Sequence, residues 1–350
     1  MGSIRAGLTT LFVGALAACD AVPSAAPPTV SLEQHTDVTI TINDLGTMGG
    51  GADSYAADIN ASGMIAGHGT LANGASHAFL LRNGVFTDLG ILPNGSYSAS
   101  TALDSQGHVV GYADAGATFL QHAVAWNGRR LVDLGTLGGR RSFAQDINDQ
   151  GQIVGSSEIN PLTNTRHAFL WQNGVMKDLG TLGGAESQAF GINNQGQIVG
   201  ESDTRQGLGH AFLWQNGVMT DLGTLGGLSS TASAINNVGE VVGVSRLGTP
   251  MAPQHAFLWR NGVMTDLGLL PGGVSSAADD INDLTQVVGH ATTRSGPEHG
   301  FAWQNGRMID LGTLGGPFSI GNAINNSSVI AGFAQTPAIH NHAVTWTVTP

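Results

Sequence analysis

Charged side chains are scarce in this sequence of 350 residues. They make up 11% of it, against roughly 25% in ordinary soluble domains. Cations are scarcer than anions, with 13 lysines and arginines against 25 aspartates and glutamates and a net charge of −12. Because nucleic acids and anionic lipids are bound by clustered basic side chains, the composition predicts that neither is a partner.

Cysteine and long apolar segments are also lacking. Cys19 is the only cysteine, which excludes an internal disulfide. Beyond the N-terminal segment, no stretch reaches the roughly eighteen apolar residues that a membrane-spanning helix needs. We therefore expect contact with a membrane only through an attached lipid.

The N-terminal segment has the order of an export signal. Arg5 supplies a positive charge, residues 6–16 are apolar, and the string LAAC at 16–19 ends in small residues. This order resembles a bacterial lipoprotein signal with its lipobox. The resemblance implies a signal peptide over 1–18, cleavage before Cys19 and diacylation of that cysteine, and two acyl chains suffice for stable anchoring. An ordinary secretion signal with an incidental cysteine is the alternative.

Residues 19–37 continue with proline, alanine and serine and show no periodicity, which predicts a flexible tether behind the lipid. The expected location is the bacterial cell envelope, on its periplasmic side or at the cell surface. A single domain is expected from residue 38 to 350, because a repeat array grows by adding units.

Glycine is abundant, at 52 residues, and so is internal repetition. Seven copies of one unit follow each other at spacings of 43 to 45 residues. The D-L-G aspartates are Asp44, Asp88, Asp133, Asp178, Asp221, Asp266 and Asp310; the H-A-F-type histidines are His77, His122, His167, His210, His255, His299 and His342; a serine stands five residues before each Ile-Asn, at Ser54, Ser98, Ser142, Ser187, Ser230, Ser276 and Ser319. This period occurs in β-propellers and in helical HEAT and armadillo repeats.

The local pattern within each copy favours β-strands. Every copy holds four short runs, none long enough for a helix, with glycine or Asn-Gly in the gaps. Asn216-Gly217 and its counterparts join the third and fourth runs, and Asn-Gly is the strongest short hairpin signal. Four strands per copy predict one blade of a β-propeller.

The ends of the chain predict that the ring closes. The first copy contains only a fourth strand, at about 38–45, and the last stops after its third strand, at about 342–348. Pairing the two partial copies completes a seventh blade and leaves no open edge. An open solenoid is the alternative.

Three recurring strings, H-A-F-L-W, D-L-G-T-L-G-G and I-N-x-x-G-x-I-V-G, resemble those of the HAF-repeat family of bacterial extracellular proteins. The match covers nearly the whole chain after the tether. Departures are mild: Leu81 replaces the first tryptophan, Leu103-Asp104 replaces one Ile-Asn, and His299-Gly300-Phe301 replaces one H-A-F. The resemblance implies export and a repeat fold, and it carries no established activity.

Each blade carries a serine, a histidine and an aspartate, the residue types of a nucleophilic triad. Seven equal copies argue against catalysis, because a residue needed in every blade is needed by the blade. We interpret Ser187, His210, Asp221 and Trp214, with their counterparts, as a buried hydrogen-bonding set that holds the strands together.

A metal site is weakly indicated. Asp146-Ile147-Asn148 and two similar turns have part of the oxygen spacing of a calcium loop, but the distal glutamate and the full acidic set are missing. The turns are better explained by asparagine side chains bonding their own backbone. No cofactor is expected, and calcium stays an alternative.

Function is expected where the copies differ. The loops between strands two and three vary and should lie on the same side as the blade crossovers, and loops on a rigid scaffold often bind ligands. The candidates there are Arg140, Arg141, Tyr97, Tyr112, His68, His290, Arg205, Arg246 and Arg294. A second candidate is the central channel, where Asp58, Asp146 and Asp280 precede the Ile-Asn pair and could hold a cation.

The expected function is a monomeric binding or scaffolding module at the envelope, with a glycan or a protein as its partner. One alternative is a hydrolase or lyase with a site at the channel mouth. The other is a structural coat. An enzyme should show unique acid, base or nucleophile residues grouped in adjacent blades, and the non-repeat residues are instead dispersed.

Overall fold

The computed structural model describes residues 29–34, 38–116, 120–128, 130–248 and 252–349. They form the predicted all-β architecture, seven four-stranded blades arranged in a ring. The predicted signal peptide and lipidation site, Cys19, lie outside the described residues and stay predictions. Within the described ranges, no helix is long and apolar enough to cross a membrane.

Each blade is an antiparallel meander whose strands follow the order of the chain. The first two strands are β1 (Thr29–Gln34) and β2 (Val38–Gly46). Blade 1 contains β3 (Gly50–Ile59), β4 (Ile65–Leu71), β5 (Ser76–Arg82) and β6 (Val85–Asp88); blade 2 contains β7 (Ser98–Leu103), β8 (Val109–Ala115), β9 (Leu120–Asn127) and β10 (Arg130–Asp133); blade 3 contains β11 (Ser142–Ile147), β12 (Ile153–Glu158), β13 (Arg166–Gln172) and β14 (Val175–Asp178). Blade 4 contains β15 (Gly183–Ile192), β16 (Ile198–Thr204), β17 (Gly209–Gln215) and β18 (Val218–Asp221); blade 5 contains β19 (Ser230–Ile235), β20 (Val241–Arg246), β21 (Gln254–Arg260) and β22 (Val263–Asp266); blade 6 contains β23 (Ser276–Ile281), β24 (Val287–Thr292), β25 (Glu298–Gln304) and β26 (Arg307–Asp310). Blade 7 contains β27 (Ser319–Ile324), β28 (Val329–Gln335), β29 (Asn341–Thr349) and, from the other end of the chain, β2.

Turn chemistry explains the meander. At the hairpin of blade 4, Asn216 and Gly217 have φ angles of 53° and 85°, as the type I′ turn that matches strand twist requires. In the turn between the first two strands, the Asn193 side-chain oxygen accepts the N–H groups of Gln195 and Gln197 at 3.1 and 3.0 Å. Both turns are therefore encoded by short local signals.

The hydrophobic core lies between the blades. The cluster between blades 3 and 4, for example, contains Val154 and Ala168 from one blade and Ile198 and Phe212 from the other, all fully buried. Strands buried on both sides explain why the central runs are apolar without alternation.

The ring closes as predicted, by pairing of the N-terminal and C-terminal strands. Strand β2 runs antiparallel to β29, with Ile42 opposite Trp346, and both side chains are fully buried. A fifth strand of this sheet was not predicted from the sequence: β1 pairs with the outer edge of β2.

A belt of asparagine side chains links the blades on the inside. Asn193 Nδ2 donates to the Asn236 carbonyl and Asn236 Nδ2 to that of Asn282, each at 3.0 Å. The bond from Asn325 Nδ2 to the Asn60 carbonyl, at 3.1 Å, joins the two ends of the chain. The sequence departs from this pattern in blade 2, where Asp104 replaces the asparagine and contacts His108 instead, at 2.6 Å.

Candidate functional site

Every blade holds one His–Asp pair formed by the repeat histidine and the D-L-G aspartate. In blade 4, His210 Nδ1 lies 2.8 Å from Asp221 Oδ2, and Asp221 Oδ1 accepts the Gly223 N–H at 2.8 Å. The Asp221 side chain is 40% exposed and that of His210 is 19% exposed, so this part of the predicted set lies at the surface. The seven pairs span 2.8 to 3.0 Å and are His77–Asp88, His122–Asp133, His167–Asp178, His210–Asp221, His255–Asp266, His299–Asp310 and His342–Asp44.

Each repeat serine joins two blades and is separate from the His–Asp pair. The buried Ser187 hydroxyl accepts the Ala168 N–H at 2.9 Å and donates to the Gly180 carbonyl at 2.6 Å, both in the preceding blade. Trp214 packs in the core beside Lys177, whose Nζ lies 5.4 Å from the ring centroid. No serine bonds a histidine within the described residues, so the three residue types do not form the relay that a nucleophilic triad needs.

The ring has two unlike ends, which we call the loop side and the turn side. The loop side carries the loops between strands two and three and the blade crossovers. The turn side carries the Asn-rich and Asn-Gly turns. All nine loop candidates lie in segments of the loop side or in the strands that lead to it.

The predicted arginines are dispersed on the loop side. Arg205 and Arg294 pack over Gly183 and Gly272 of their own blades, and Arg246 Nη1 donates to the Ala252 carbonyl at 3.3 Å. The two crossover arginines use their backbone, since the Arg140 N–H donates to the Glu158 carboxylate at 3.0 Å and the Arg141 carbonyl accepts the Glu158 N–H at 2.9 Å. The arginines do not gather into one site.

The predicted aromatic candidates lie in two clusters of rings, one around Tyr97 and Tyr112 and one around His68. Tyr97 and Tyr112 have ring centroids 6.0 Å apart, and His68 stacks on Tyr55 at 4.9 Å with an interplanar angle of 15°. Contacts extend these pairs across blade boundaries, from Tyr112 to Phe143 at 5.3 Å and from Tyr55 to Phe333 at 4.9 Å, and Phe318 lies 5.8 Å from Phe333. We call these rings the aromatic arc; its members are Phe318, Phe333, Tyr55, His68, Tyr97, Tyr112 and Phe143, all half-buried. The sequence contains three tyrosines, and all three belong to the arc.

Unpaired buried polar atoms concentrate at the same place. The described residues contain five buried side-chain polar atoms without a partner, and three border the arc: His68 Nδ1, Arg166 Nε and Asn341 Oδ1. The Arg166 guanidinium lies 4.9 Å from the Phe143 ring centroid, and Asn341 Nδ2 donates to the Tyr55 hydroxyl at 2.8 Å. An unpaired buried polar group is costly, and this cost is concentrated beside the arc.

Burial favours the uncharged forms of His68, Tyr55 and Tyr97. It lowers the pKa of His68, and it raises the pKa of Tyr55 and, together with Tyr112, that of Tyr97. A neutral imidazole and a phenol each both donate and accept a hydrogen bond. The arc therefore offers flat apolar surfaces with neutral polar groups beside them.

Blade 4 carries acids where the arc carries rings. Glu186, Glu201 and Asp203 line a small cavity of about 70 Å³, and Glu201 occupies the strand position of His68 and Tyr112. Burial raises the pKa of Glu201, and its carboxylate accepts the Thr231 hydroxyl at 3.0 Å. In blade 6 the predicted candidate His290 pairs with Asp279 at 2.8 Å, so the loop side is chemically asymmetric.

The channel candidates come together in a cavity of about 130 Å³ lined by the first strands of all seven blades. Each aspartate stands at a β-bulge and accepts two backbone N–H groups; Asp146 takes those of Ile147 and Ile192 at 2.7 and 2.8 Å. Burial raises the pKa of Asp58 to about 6, that of Asp146 to about 7 and that of Asp280 well above its ordinary value, with mutual repulsion adding to the last two. In the described part of the chain, no group of three or more histidine, cysteine, aspartate or glutamate side chains is placed so that it could hold a metal ion.

Several members of the arc were missed in the sequence. Tyr55 and Phe143 follow the repeat serine directly, and the same column reads Ala99, Gln188, Thr231, Ala277 and Ile320 in the other blades. Comparing the seven copies at this column would have found them. Phe333 stands in the same column as His68 and Tyr112 and could have been found in the same way. Phe318 and Arg166 carry no comparable signal, because their contacts are set by the neighbouring blade.

No known protein family and no curated protein matches this sequence, so the resemblance to HAF-repeat proteins stays a prediction.

Solved structures match the fold at low sequence identity. The β-propeller domain of the Trilobed protease from Pyrococcus furiosus is 10% identical over 85% of this chain and 94% of its own length, with a TM-score of 0.55. A Mycobacterium tuberculosis puromycin-hydrolyzing peptidase is 11% identical over 82% of this chain, which spans 53% of the peptidase, with a TM-score of 0.54. An acylaminoacyl peptidase of Pyrococcus horikoshii is 10% identical over 88% of this chain and 57% of its own, with a TM-score of 0.51. The chain therefore has the fold of a seven-bladed β-propeller.

Proposed function

We propose that this protein is an exported, lipid-anchored propeller that binds a glycan of the cell envelope at the aromatic arc. One observation carries the proposal: in a ring of near-identical blades, the rings and three unpaired buried polar atoms concentrate in blades 7, 1, 2 and 3. Aromatic side chains combine a large apolar surface with a polar tip. Such surfaces suit pyranose rings, which have apolar C–H faces and hydroxyl edges.

The scarcity of basic side chains supports a glycan over a nucleic acid. Arg166 lies beside Phe143, Asp53 and Asp114 lie close enough to Tyr55 and Tyr97 to help raise the pKa of their phenols, and the acids of blade 4 adjoin the blade 3 end of the arc. Hydroxyl groups can donate to carboxylates and accept from the guanidinium. A sugar chain that extends from blade 3 onto blade 4 would find both kinds of partner.

Export and anchoring follow from the N-terminal sequence. The lipobox-like string at 16–19 supports acylation at Cys19, and the resulting anchor would hold the ring close to envelope polysaccharides. An anchored ring meets its ligand at high local concentration, which makes weak individual contacts effective.

The test replaces arc residues with those that the chain itself uses in blade 5. Tyr55→Thr and Tyr112→Val introduce the residues that blade 5 has at the equivalent positions, Thr231 and Val244, so the double variant should keep the fold. Binding of solubilised cell-wall fragments and envelope polysaccharides is measured by calorimetry. Loss of a central aromatic anchor costs at least about 2 kcal/mol, so we expect affinity to fall roughly thirtyfold.

The matched control is Val244→Ala, which changes the same column on blade 5, away from the arc. It should bind as the wild type does. Equal affinity of the wild type and the double variant for every glycan tested would refute the proposal.

A further inference from the structure

The turn side carries a groove that the nearly constant turn sequences did not predict. It lies between blades 3 and 4 and encloses about 400 Å³, within the range of small-molecule sites. Its polar lining consists of amide side chains, from Gln150, Gln152, Gln172, Asn194, Gln195 and Asn216, and Trp214 and Leu170 supply the apolar part.

A relay of hydrogen bonds orients the amides on the blade 3 wall. Asn148 Nδ2 donates to Gln152 Oε1 at 2.7 Å, and Gln152 Nε2 donates to Gln172 Oε1 at 3.3 Å. This order leaves the Gln172 amide nitrogen as a donor at the groove. On the opposite wall Gly196, with φ +73°, allows close approach, because a Cβ there would lie 3.4 Å from Gln152 Oε1.

The chemistry of this lining selects for uncharged hydroxyl-bearing ligands. An amide offers a donor and an acceptor side by side, which complements a sugar hydroxyl, and Trp214, 9% exposed, adds only a small apolar surface beside them. No lining residue carries a charge, and the charged groups beside the lining are already engaged, since Asp149 Oδ2 accepts a hydrogen bond from Asn194 Nδ2 at 2.7 Å and Lys177 Nζ lies 5.4 Å from the Trp214 ring centroid.

The glutamine relay recurs in blade 4 through Gln197 and Gln215, whereas the comparable positions of blades 5 and 6 are filled by other side chains. In blade 5 the glutamine pair is replaced by Glu240 and Arg260, whose Oε1 and Nη1 lie 3.3 Å apart, and Thr285 of blade 6 donates to Glu240 at 2.8 Å. In blade 6 the glutamine relay recurs, but Ser328 of blade 7 donates to Gln286 Oε1 at 2.8 Å.

We infer that the groove between blades 3 and 4 is a second site that binds a neutral oligosaccharide on the side opposite the aromatic arc. The inference rests on the groove alone and does not depend on the arc. Two separate sites on one ring would let the protein bridge two sugar chains.

The test installs the blade 5 ion pair in blade 3, as Gln152→Glu with Gln172→Arg. Cellotriose, maltotriose and the trimer of N-acetylglucosamine are titrated into the purified protein by calorimetry, with thermal unfolding as the check on folding. We expect one of the three to bind and its affinity to fall at least about tenfold in the variant. The matched control places the same exchange in blade 6, as Gln286→Glu with Gln304→Arg, and should bind like the wild type.

The arc double variant separates this inference from the proposed function. Binding that survives Tyr55→Thr with Tyr112→Val and is lost only in the blade 3 variant supports the groove. The inference is overturned if none of the three sugars binds the wild type, if the blade 3 variant binds normally, if the blade 6 exchange is equally harmful, or if only the arc variant loses binding.

Discussion

Removing one repeat serine tests the interpretation that the repeated residues serve the blade. Ser187→Ala keeps the side-chain volume nearly unchanged, so the cavity left is small. It leaves the buried Ala168 N–H without a partner and takes one donor from the half-buried Gly180 carbonyl. An unsatisfied buried group costs about 1–3 kcal/mol, and water can reach the carbonyl, so we expect the free energy of unfolding to fall by about 2 kcal/mol.

The assay is equilibrium unfolding in urea, followed by tryptophan fluorescence. Ser54→Ala and Ser276→Ala should lose the same amount, because their hydroxyls make the same two bonds at 2.6 to 2.9 Å. The control is Ser295→Ala, whose exposed hydroxyl contacts only that of Thr293, at 2.8 Å, and should change stability little. A loss below about 0.5 kcal/mol in the three repeat variants, or a large loss in one of them only, would refute a structural role shared by all blades.

Three further predictions concern the channel, the ring closure and the anchor. Because the pKa values of Asp58, Asp146 and Asp280 are raised, the folded state binds more protons than the unfolded chain above about pH 4, and stability should fall as the pH rises from about 4 to 7. The urea midpoints of unfolding at pH 5 and pH 8 should therefore differ less in Asp146→Asn than in the wild type. An unchanged difference would contradict this prediction. Deleting residues up to 46 removes β2, exposes the edge of β29 and leaves His342 without Asp44. Because an exposed strand edge pairs with other chains, the shortened protein should self-associate in sedimentation experiments. A stable monomer would show that closure of the ring is dispensable. Cys19→Ser should abolish incorporation of a labelled fatty acid and release the protein from membranes, and unchanged labelling would exclude that cysteine as the anchor.

Much of the fold could be predicted because its signals are local. The Asn216-Gly217 turn and the Asn193 turn depend on residues within one hairpin, and repetition turns one correct blade into seven. Ring closure followed from two partial copies that complete each other. The strand β1 lies outside the repeat, and no copy existed to compare it with.

The aromatic arc could be predicted only in part. Tyr97, Tyr112 and His68 stood out because they break the repeat, but their grouping depends on contacts between residues far apart in the sequence, such as Tyr55 with Phe333. The arginines also break the repeat and were given equal weight, yet they lie apart on separate blades. The turn-side groove was missed because each amide belongs to a constant turn, and the site arises only where two blades meet.

The three tyrosines allow the most direct test of glycan binding at the arc. Protein labelled with fluorotyrosine should give three fluorine signals, from Tyr55, Tyr97 and Tyr112, without interference from the rest of the ring. Titration with an envelope glycan that calorimetry shows to bind should shift or broaden these signals at the same concentrations. Binding at full occupancy with all three signals unchanged would place the ligand elsewhere and contradict the proposed function.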